Sequence, residues 1–259
     1  MAMDVSLPQL LKLLSEEVPI QNQTAFKGRE WQEPRFAQWF FSENRQGYLD
    51  PEEEEDFLIQ HAGSGPFLDL GCGNMRLSEI LSKNLSGLAL DSSFASIGEG
   101  STPCVQADIR DLPITGKFSL ILLGFGQLCF LSREEHMELF KKLKRLLLPE
   151  GRIYIDLPTI ELIQEMDSQN EFGPDGENTV FLVRQYDPSE SRFYQRSIVV
   201  SKDGKLLEDF SFAYQLYSLY ELLESFRELR LRVEYGCEDL QGNPIKETSA
   251  WMVFLLQKI

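Results

Sequence analysis

The chain has 259 residues, 42% of them hydrophobic, and carries 25 Lys plus Arg against 41 Asp plus Glu, a formal net charge of −16 at pH 7. That length buries a full core without disulfides or a structural metal, as one large domain or one domain with a small appendage. The acidic excess repels phosphate backbones, so no nucleic-acid partner is expected; the four cysteines, Cys72, Cys104, Cys129 and Cys237, form no CxxC pair, so neither a metal site nor a disulfide framework is expected.

Residues 1–62 read as a helical N-terminal segment, a lid or cap. Leu7, Leu10, Leu11 and Leu14 recur at helical spacing. Residues 31–41 gather Trp31, Phe36, Trp39, Phe40 and Phe41, a set suited to packing on a core or covering a cleft. Pro51 opens a further helix, and the acidic run from Glu52 to Glu55 sits at the positive end of its dipole. The beginning of the chain lacks a basic stretch followed by an apolar run, and the longest apolar run, around residues 120–125, is too short to cross a bilayer. The expectation is a cytoplasmic protein with no membrane partner.

From Pro66 strands alternate with helices. Strands are expected at residues 67–70, 87–91, 104–108, 118–123 and 152–157, with helices at 77–85 and 132–148. The second helix opens with the capping box Ser132 and Glu135 and stops at Pro149-Glu150-Gly151. Residues 178–186, 192–201 and 206–217 then read as extended, with Asp203-Gly204 as a hairpin signal. A capped helix at 218–229 and strands at 232–238 and 251–258 close the chain. The fold class expected is α/β: a mainly parallel seven-stranded sheet with helices on both faces, plus a small antiparallel insertion after the fifth strand. Residues 63–259 form the main domain, with the insertion at about 175–217.

Three features fall at strand ends, where open parallel sheets bind ligands. Gly71 and Gly73 follow the first strand and let the backbone turn tightly and approach a ligand; the N-H groups of the next helix favour a carboxylate or phosphate there. Asp91 ends the second strand and is suited to two ribose hydroxyls. Asp108 ends the third and is suited to an exocyclic amine such as that of adenine. A nicotinamide-dinucleotide fingerprint needs a third glycine where Arg76 stands. Phe67-Leu68-Asp69-Leu70-Gly71-Cys72-Gly73 resembles the first motif of class I S-adenosylmethionine-dependent methyltransferases. Leu88-Ala89-Leu90-Asp91-Ser92-Ser93 resembles their second-strand motif, and Gln106-Ala107-Asp108-Ile109-Arg110-Asp111-Leu112-Pro113 their adenine-side motif. Residues 118–125 and 143–151 are similar to the fourth strand and the loop before the fifth.

The resemblance implies S-adenosyl-L-methionine as cofactor. It implies that Asp69, Gly71, Cys72 and Gly73 hold the methionine end, Asp91 and Ser92 the ribose, Asp108 and Ile109 the adenine, and that Gly124 and Phe125 line the methyl end. The family often has a further glycine two residues after Gly73, where this chain has Met75. Gly124-Phe125-Gly126-Gln127 stands where enzymes that methylate amino groups in DNA carry an Asn-Pro-Pro-Tyr type motif.

Transfer from a sulfonium needs alignment more than acid–base chemistry. His61, His136 and Asp156 are the candidate bases. Residues two apart on a strand share a face, so Arg184 pairs with Tyr186 and Tyr194 with Arg196. Trp39, Arg184, Tyr194, Arg196 and Tyr217 are the candidate acceptor-binding residues. The expected function is methyl transfer to oxygen or nitrogen of a small molecule. The alternatives are a cofactor-binding chain without catalysis and an enzyme acting on protein or RNA.

Overall fold

The computed structural model describes residues 3–4, 8–9, 12, 49–97, 100–167, 171–175 and 177–259. The aromatic stretch at 31–41, Trp39 included, and most of the leucine repeat at 7–14 lie outside them. The described residues fall into two compact units: 49–162 with Tyr217–Ile259, and Ile163–Leu216 with the first short strand.

The larger unit holds strands β2 (Phe67–Leu70), β3 (Gly87–Asp91), β4 (Cys104–Gln106), β5 (Phe118–Leu123), β6 (Leu147–Pro158), β11 (Leu231–Cys237) and β12 (Trp251–Lys258). They form one sheet in the order β11-β12-β6-β5-β2-β3-β4. The five strands from β4 to β6 are parallel; β12 runs antiparallel to both β6 and β11. The chain steps outward from β2 to β3 and β4, then returns to the other side for β5 and β6. This puts the switch point at β2 and β5. All four residues of β2 and all six of β5 are buried, as strands covered on both faces require.

The helices of this unit are α1 (Pro51–His61), α2 (Arg76–Ser82), α3 (Arg133–Leu146) and α5 (Leu219–Glu228); α4 (Ile160–Asp167) follows β6. On one face Leu120, Leu122, Tyr154, Val253 and Leu255 cluster with Phe57 and Leu58 of α1 and Leu77 and Leu81 of α2. The residues between them in sequence point the other way. There Phe140 of α3 meets Phe226 of α5 at 6.1 Å, and Phe226 meets Phe254 of β12 at 5.4 Å. Each such fully buried side chain contributes roughly 2 kcal/mol of transfer free energy. Both capping boxes form, Ser132 with Glu135 and Ser218 with Glu221. Arg133 joins the two helix starts by donating to Glu221 at 2.6 Å while its guanidinium stacks over Tyr217.

Several boundaries differ from expectation, among them the end of the helix expected at 77–85, which stops at Ser82, and two that depend on neighbouring elements. Helix α3 stops at Leu146, because Leu147 already pairs with Phe118; β6 then carries Pro149-Glu150-Gly151 as an irregularity before Arg152 pairs with Leu120. Strand β4 ends at Gln106, because Asp108 caps a 3-10 turn over Ile109–Asp111.

The second unit is an antiparallel sheet, ordered β1-β10-β9-β8-β7: β1 (Met3–Asp4), β7 (Glu171–Asp175), β8 (Asn178–Asp187), β9 (Arg192–Ser201) and β10 (Lys205–Gln215). The expected hairpin lies between β9 and β10, where Gly204 takes φ +77° and its N-H donates to the Ser201 carbonyl. Strands β1 and β7 carry no alternation that marks them in sequence. They add to the sheet's outer edges by pairing with β10 and β8.

Candidate functional site

The chain leaves β2 through two left-handed glycines, Gly71 at φ +71° and Gly73 at φ +48°. The N-H groups of Gly71 and Cys72 donate to the Leu90 carbonyl at 2.7 and 3.0 Å, which folds the loop over the end of β3. A Cβ on Gly71 would stand 2.1 Å from Cδ of Gln127, so only glycine lets the turn after β5 approach this closely. Met75 is also left-handed, at φ +65°, and precedes α2 without a side-chain cap. Its side chain is buried and packs with Cys72, Ala89, Ile97 and Cys104. The departure from the family pattern is thus a core residue on the loop's own cysteine. Burial first, and then the Asp69 and Asp91 carboxylates, push the Cys72 thiol well above its usual range. Its sulfur lies 3.7 Å from that of Cys104, and burial favours the protonated thiol.

Two carboxylates sit beneath this loop. Asp69 is buried and accepts the Ser78 hydroxyl at 2.7 Å. Burial, partly offset by Ser78, pushes its pKa up to about 6, and the neighbouring Asp91 adds to the rise. Asp91 accepts the Gly73 N-H on Oδ2 at 2.9 Å and the Ser93 N-H on Oδ1 at 2.8 Å. Burial raises its pKa, and those N-H groups pull it back. The Ser92 amide also bonds Asp91, and three backbone donors still leave the carboxylate acceptor capacity for a ligand hydroxyl. A pyrophosphate would meet like charge from Asp69 and Asp91, whereas a cofactor with an ammonium and a sulfonium meets opposite charge. The residues present therefore fit S-adenosylmethionine.

The next strand end is tied to this one. The Ala107 N-H donates to the Asp91 carbonyl at 2.9 Å, and Gln106 Nε2 to the Ser92 carbonyl at 3.1 Å. Asp108 accepts the Arg110 N-H at 2.8 Å and grips the Arg110 guanidinium at 2.6 and 2.9 Å. Burial alone would raise its pKa, but the Arg110 hydrogen bonds outweigh it and hold the carboxyl below its ordinary value. An incoming amine thus has to share this acceptor with Arg110. Ile109 beside it is buried.

After β5 the backbone turns at Gly124, then at the left-handed Phe125 (φ +57°) and Gly126 (φ +71°). A Cβ on Gly124 would stand 2.5 Å from Leu77 of α2. The Phe125 N-H donates to Asp156 Oδ1 at 2.8 Å, and the Gly126 N-H to the Asp156 carbonyl at 2.9 Å. The ends of β2, β3 and β5 are therefore joined, by the Gly73–Asp91 bond on one side and the Gly71–Gln127 contact on the other. Sequence reasoning did not single out Gln127, Ser78 or Trp251 as partners here. Only the glycine at position 71, which demands a close neighbour, hinted at Gln127.

The remaining candidates stand as follows. His61 ends α1 with its ring 4.5 Å from Phe57, and burial, then Arg152, lower its pKa. His136 is buried between Phe140 and Tyr217; burial, then Arg133, lower its pKa to about 4, so it is neutral near pH 7. Arg184 donates from Nε to Gln195 Oε1 at 3.0 Å. Tyr194 is buried, and Arg196, also buried, forms a two-pronged pair with Asp209 at 2.8 and 2.7 Å. Tyr217 is buried and donates its hydroxyl to the Leu131 carbonyl at 3.0 Å. Arg184, Tyr194 and Arg196 belong to the smaller unit, and Tyr217 to the larger. Among the described residues no group of three or more His, Cys, Asp and Glu is placed to hold a metal ion, and no helix is long and apolar enough to cross a membrane.

Residues 68–155 match the model of a methyltransferase domain family. No curated protein matches the chain significantly. Among solved structures, an S-adenosylmethionine-dependent methyltransferase from Clostridium acetobutylicum superposes with a TM-score of 0.73 at 17% identity, over 86% of this chain and 98% of its own. A sugar N-methyltransferase from a Streptoalloteichus species gives 0.61 at 15% identity, over 86% and 92%. An amino pentose methyltransferase from Micromonospora echinaspora, solved with S-adenosylmethionine bound, gives 0.59 at 15%, over 91% and 95%. At such identities the likeness is one of fold. Residues 68–155 thus carry a methyltransferase domain, and the seven-stranded sheet that contains them has the fold of S-adenosylmethionine-dependent methyltransferases.

Proposed function

We propose that this methyltransferase transfers a methyl group from S-adenosylmethionine to an oxygen or nitrogen of a small-molecule acceptor. The observation that carries the cofactor placement is the Asp91 carboxylate, bonded to the Gly73 N-H at the end of β3. In this reading Gly71, Cys72 and Gly73, over Asp69, hold the methionine end. Asp91 and Ser92 hold the ribose, and Asp108 and Ile109 flank the adenine. Gly124 and Phe125 line the methyl end. The bound cofactor supplies an electrophilic methyl on a sulfonium. The protein's own contribution is to fix that group in line with the acceptor and to exclude water. His136, buried among aromatic rings with its pKa lowered to about 4, is too weak and too enclosed a base for this step.

Small-molecule acceptors are favoured by the strongly acidic charge, which opposes RNA, and by the fold's likeness to a sugar N-methyltransferase and an amino pentose methyltransferase. Arg184, Tyr194 and Arg196 of the smaller unit, Tyr217 of the larger, and Trp39 are each proposed as acceptor-binding residues. The test is a methyl-donor consumption assay with amino sugars, other small amines and small hydroxy compounds. The reading expects S-adenosylhomocysteine to form with at least one of these. Cofactor binding without turnover on any acceptor would mark a non-catalytic chain, and turnover confined to protein or RNA would overturn the acceptor class.

A further inference from the structure

We propose that Asp156 is a positioning residue that holds the Gly124–Phe125 turn in the shape that receives the methyl end of the cofactor; this rests on the cofactor placement above. Asp156 lies near the end of β6 and is 2% exposed. One carboxylate oxygen, Oδ1, accepts two donors from different elements: the Phe125 N-H at 2.8 Å and the Trp251 indole N-H of β12 at 3.0 Å. The Asp156 carbonyl accepts the Gly126 N-H at 2.9 Å, so this one residue holds the turn at two successive amides. The other oxygen, Oδ2, is buried and lies 3.4 Å from where a Cβ on Gly124 would stand, and the buried Tyr154 hydroxyl also interacts with this carboxylate. The Phe125 and Trp251 rings also pack together, with centroids 6.1 Å apart.

A merely structural role explains this arrangement poorly. A buried carboxylate is expensive, and an apolar residue of similar size fills a strand position at lower cost. Phe125 is likewise held in a left-handed conformation that glycine adopts without strain. Two unfavourable choices thus concentrate on one turn at the switch point, where the surrounding structure over-determines the backbone. Their shared consequence is a fixed direction for the Gly124–Phe125 peptide and the Phe125 ring. The sequence marked Asp156 only as a group near a strand end; the geometry gives it two donors and a target.

The experiment is calorimetric titration of S-adenosylmethionine and S-adenosylhomocysteine into wild-type protein, Asp156→Asn and Asp156→Leu, with thermal melts of each. Asn keeps an acceptor oxygen for both donors, so its affinity is expected within about threefold of wild type. Leu fills the same space without an acceptor, and its affinity is expected to fall about tenfold or more, since one lost hydrogen bond to a charged group corresponds to such a factor. A folded Leu variant that binds within twofold of wild type overturns the proposal. No binding by wild type overturns the cofactor placement itself. If the Leu variant does not fold, nuclear magnetic resonance of wild-type protein decides: the Phe125 amide and Trp251 indole signals are expected to shift together on titration with S-adenosylhomocysteine. Signals unmoved at saturation overturn the proposal.

Discussion

Asp69 and His136 titrate against each other. Asp69 has its folded pKa raised from 3.8 to about 6, so it binds a proton more readily folded than unfolded; its contribution is full below about pH 4 and is lost as pH rises to 6. His136 has its folded pKa lowered from 6.5 to about 4, so its contribution is full above 6.5 and is lost as pH falls to 4. Each shift corresponds to about 3 kcal/mol. We therefore expect thermal melts between pH 4 and 6.5 in which the two slopes nearly cancel in wild type. Asp69→Asn, which keeps an acceptor for Ser78, should gain stability relative to wild type as pH rises through this window. His136→Phe should gain relative stability as it falls. Parallel profiles for all three proteins would contradict the assigned burial costs. At Asp91 the expectation concerns binding: Asp91→Asn puts an amide NH2 against a backbone N-H donor and should weaken S-adenosylhomocysteine binding at least tenfold in a calorimetric titration. The roles of single residues were only partly legible. Gly71, Asp91 and Asp108 were legible only as a set, by their order and spacing along the strand ends, because loop glycines and strand-end aspartates are each common. Asp156 did not, because its meaning lies in Phe125 and Trp251, 31 and 95 residues away.

Elements were legible wherever local chemistry decides them. The capping boxes at Ser132 and Ser218 fix two helix starts by bonds that span only three residues. Ser132→Ala should cost about 1 kcal/mol by chemical denaturation, and an unchanged midpoint would argue that tertiary packing alone sets the start of α3. The end of α3 was misread for the opposite reason. Pro149-Glu150-Gly151 is a stop signal locally, yet Phe118 already pairs with Leu147 and draws these residues into β6. Gly151 is what allows it: a Cβ there would sit 2.8 Å from the Phe118 carbonyl oxygen. Gly151→Ala should destabilise by about 2 kcal/mol in the same measurement, and a neutral result would mean that the strand irregularity yields freely. The edge strands β1 and β7 escaped notice because their residues carry no period-two pattern and their places depend on β10 and β8.

At the scale of the whole chain, alternation of strand and helix from residue 66 onward dictated the parallel sheet, and the order of glycine loop, Asp91 and Asp108 along it picks out the strand ends at which the cofactor site is proposed. What alternation cannot encode is the acceptor, since methyl transfer demands alignment rather than a fixed set of acid and base residues. The seven-stranded unit brings the ends of β2, β3 and β5 together through a handful of contacts between residues far apart in sequence. It builds there an anionic cradle with glycine at its closest approach. A structure of the protein with S-adenosylhomocysteine tests this most directly. We predict the ribose hydroxyls on the Asp91 carboxylate and the amino-acid end over Gly71 and Gly73, with Phe125 beside the sulfur. A nucleoside bound elsewhere, with Asp91 still engaged only by backbone amides of its own loop and of Gly73, would contradict the account.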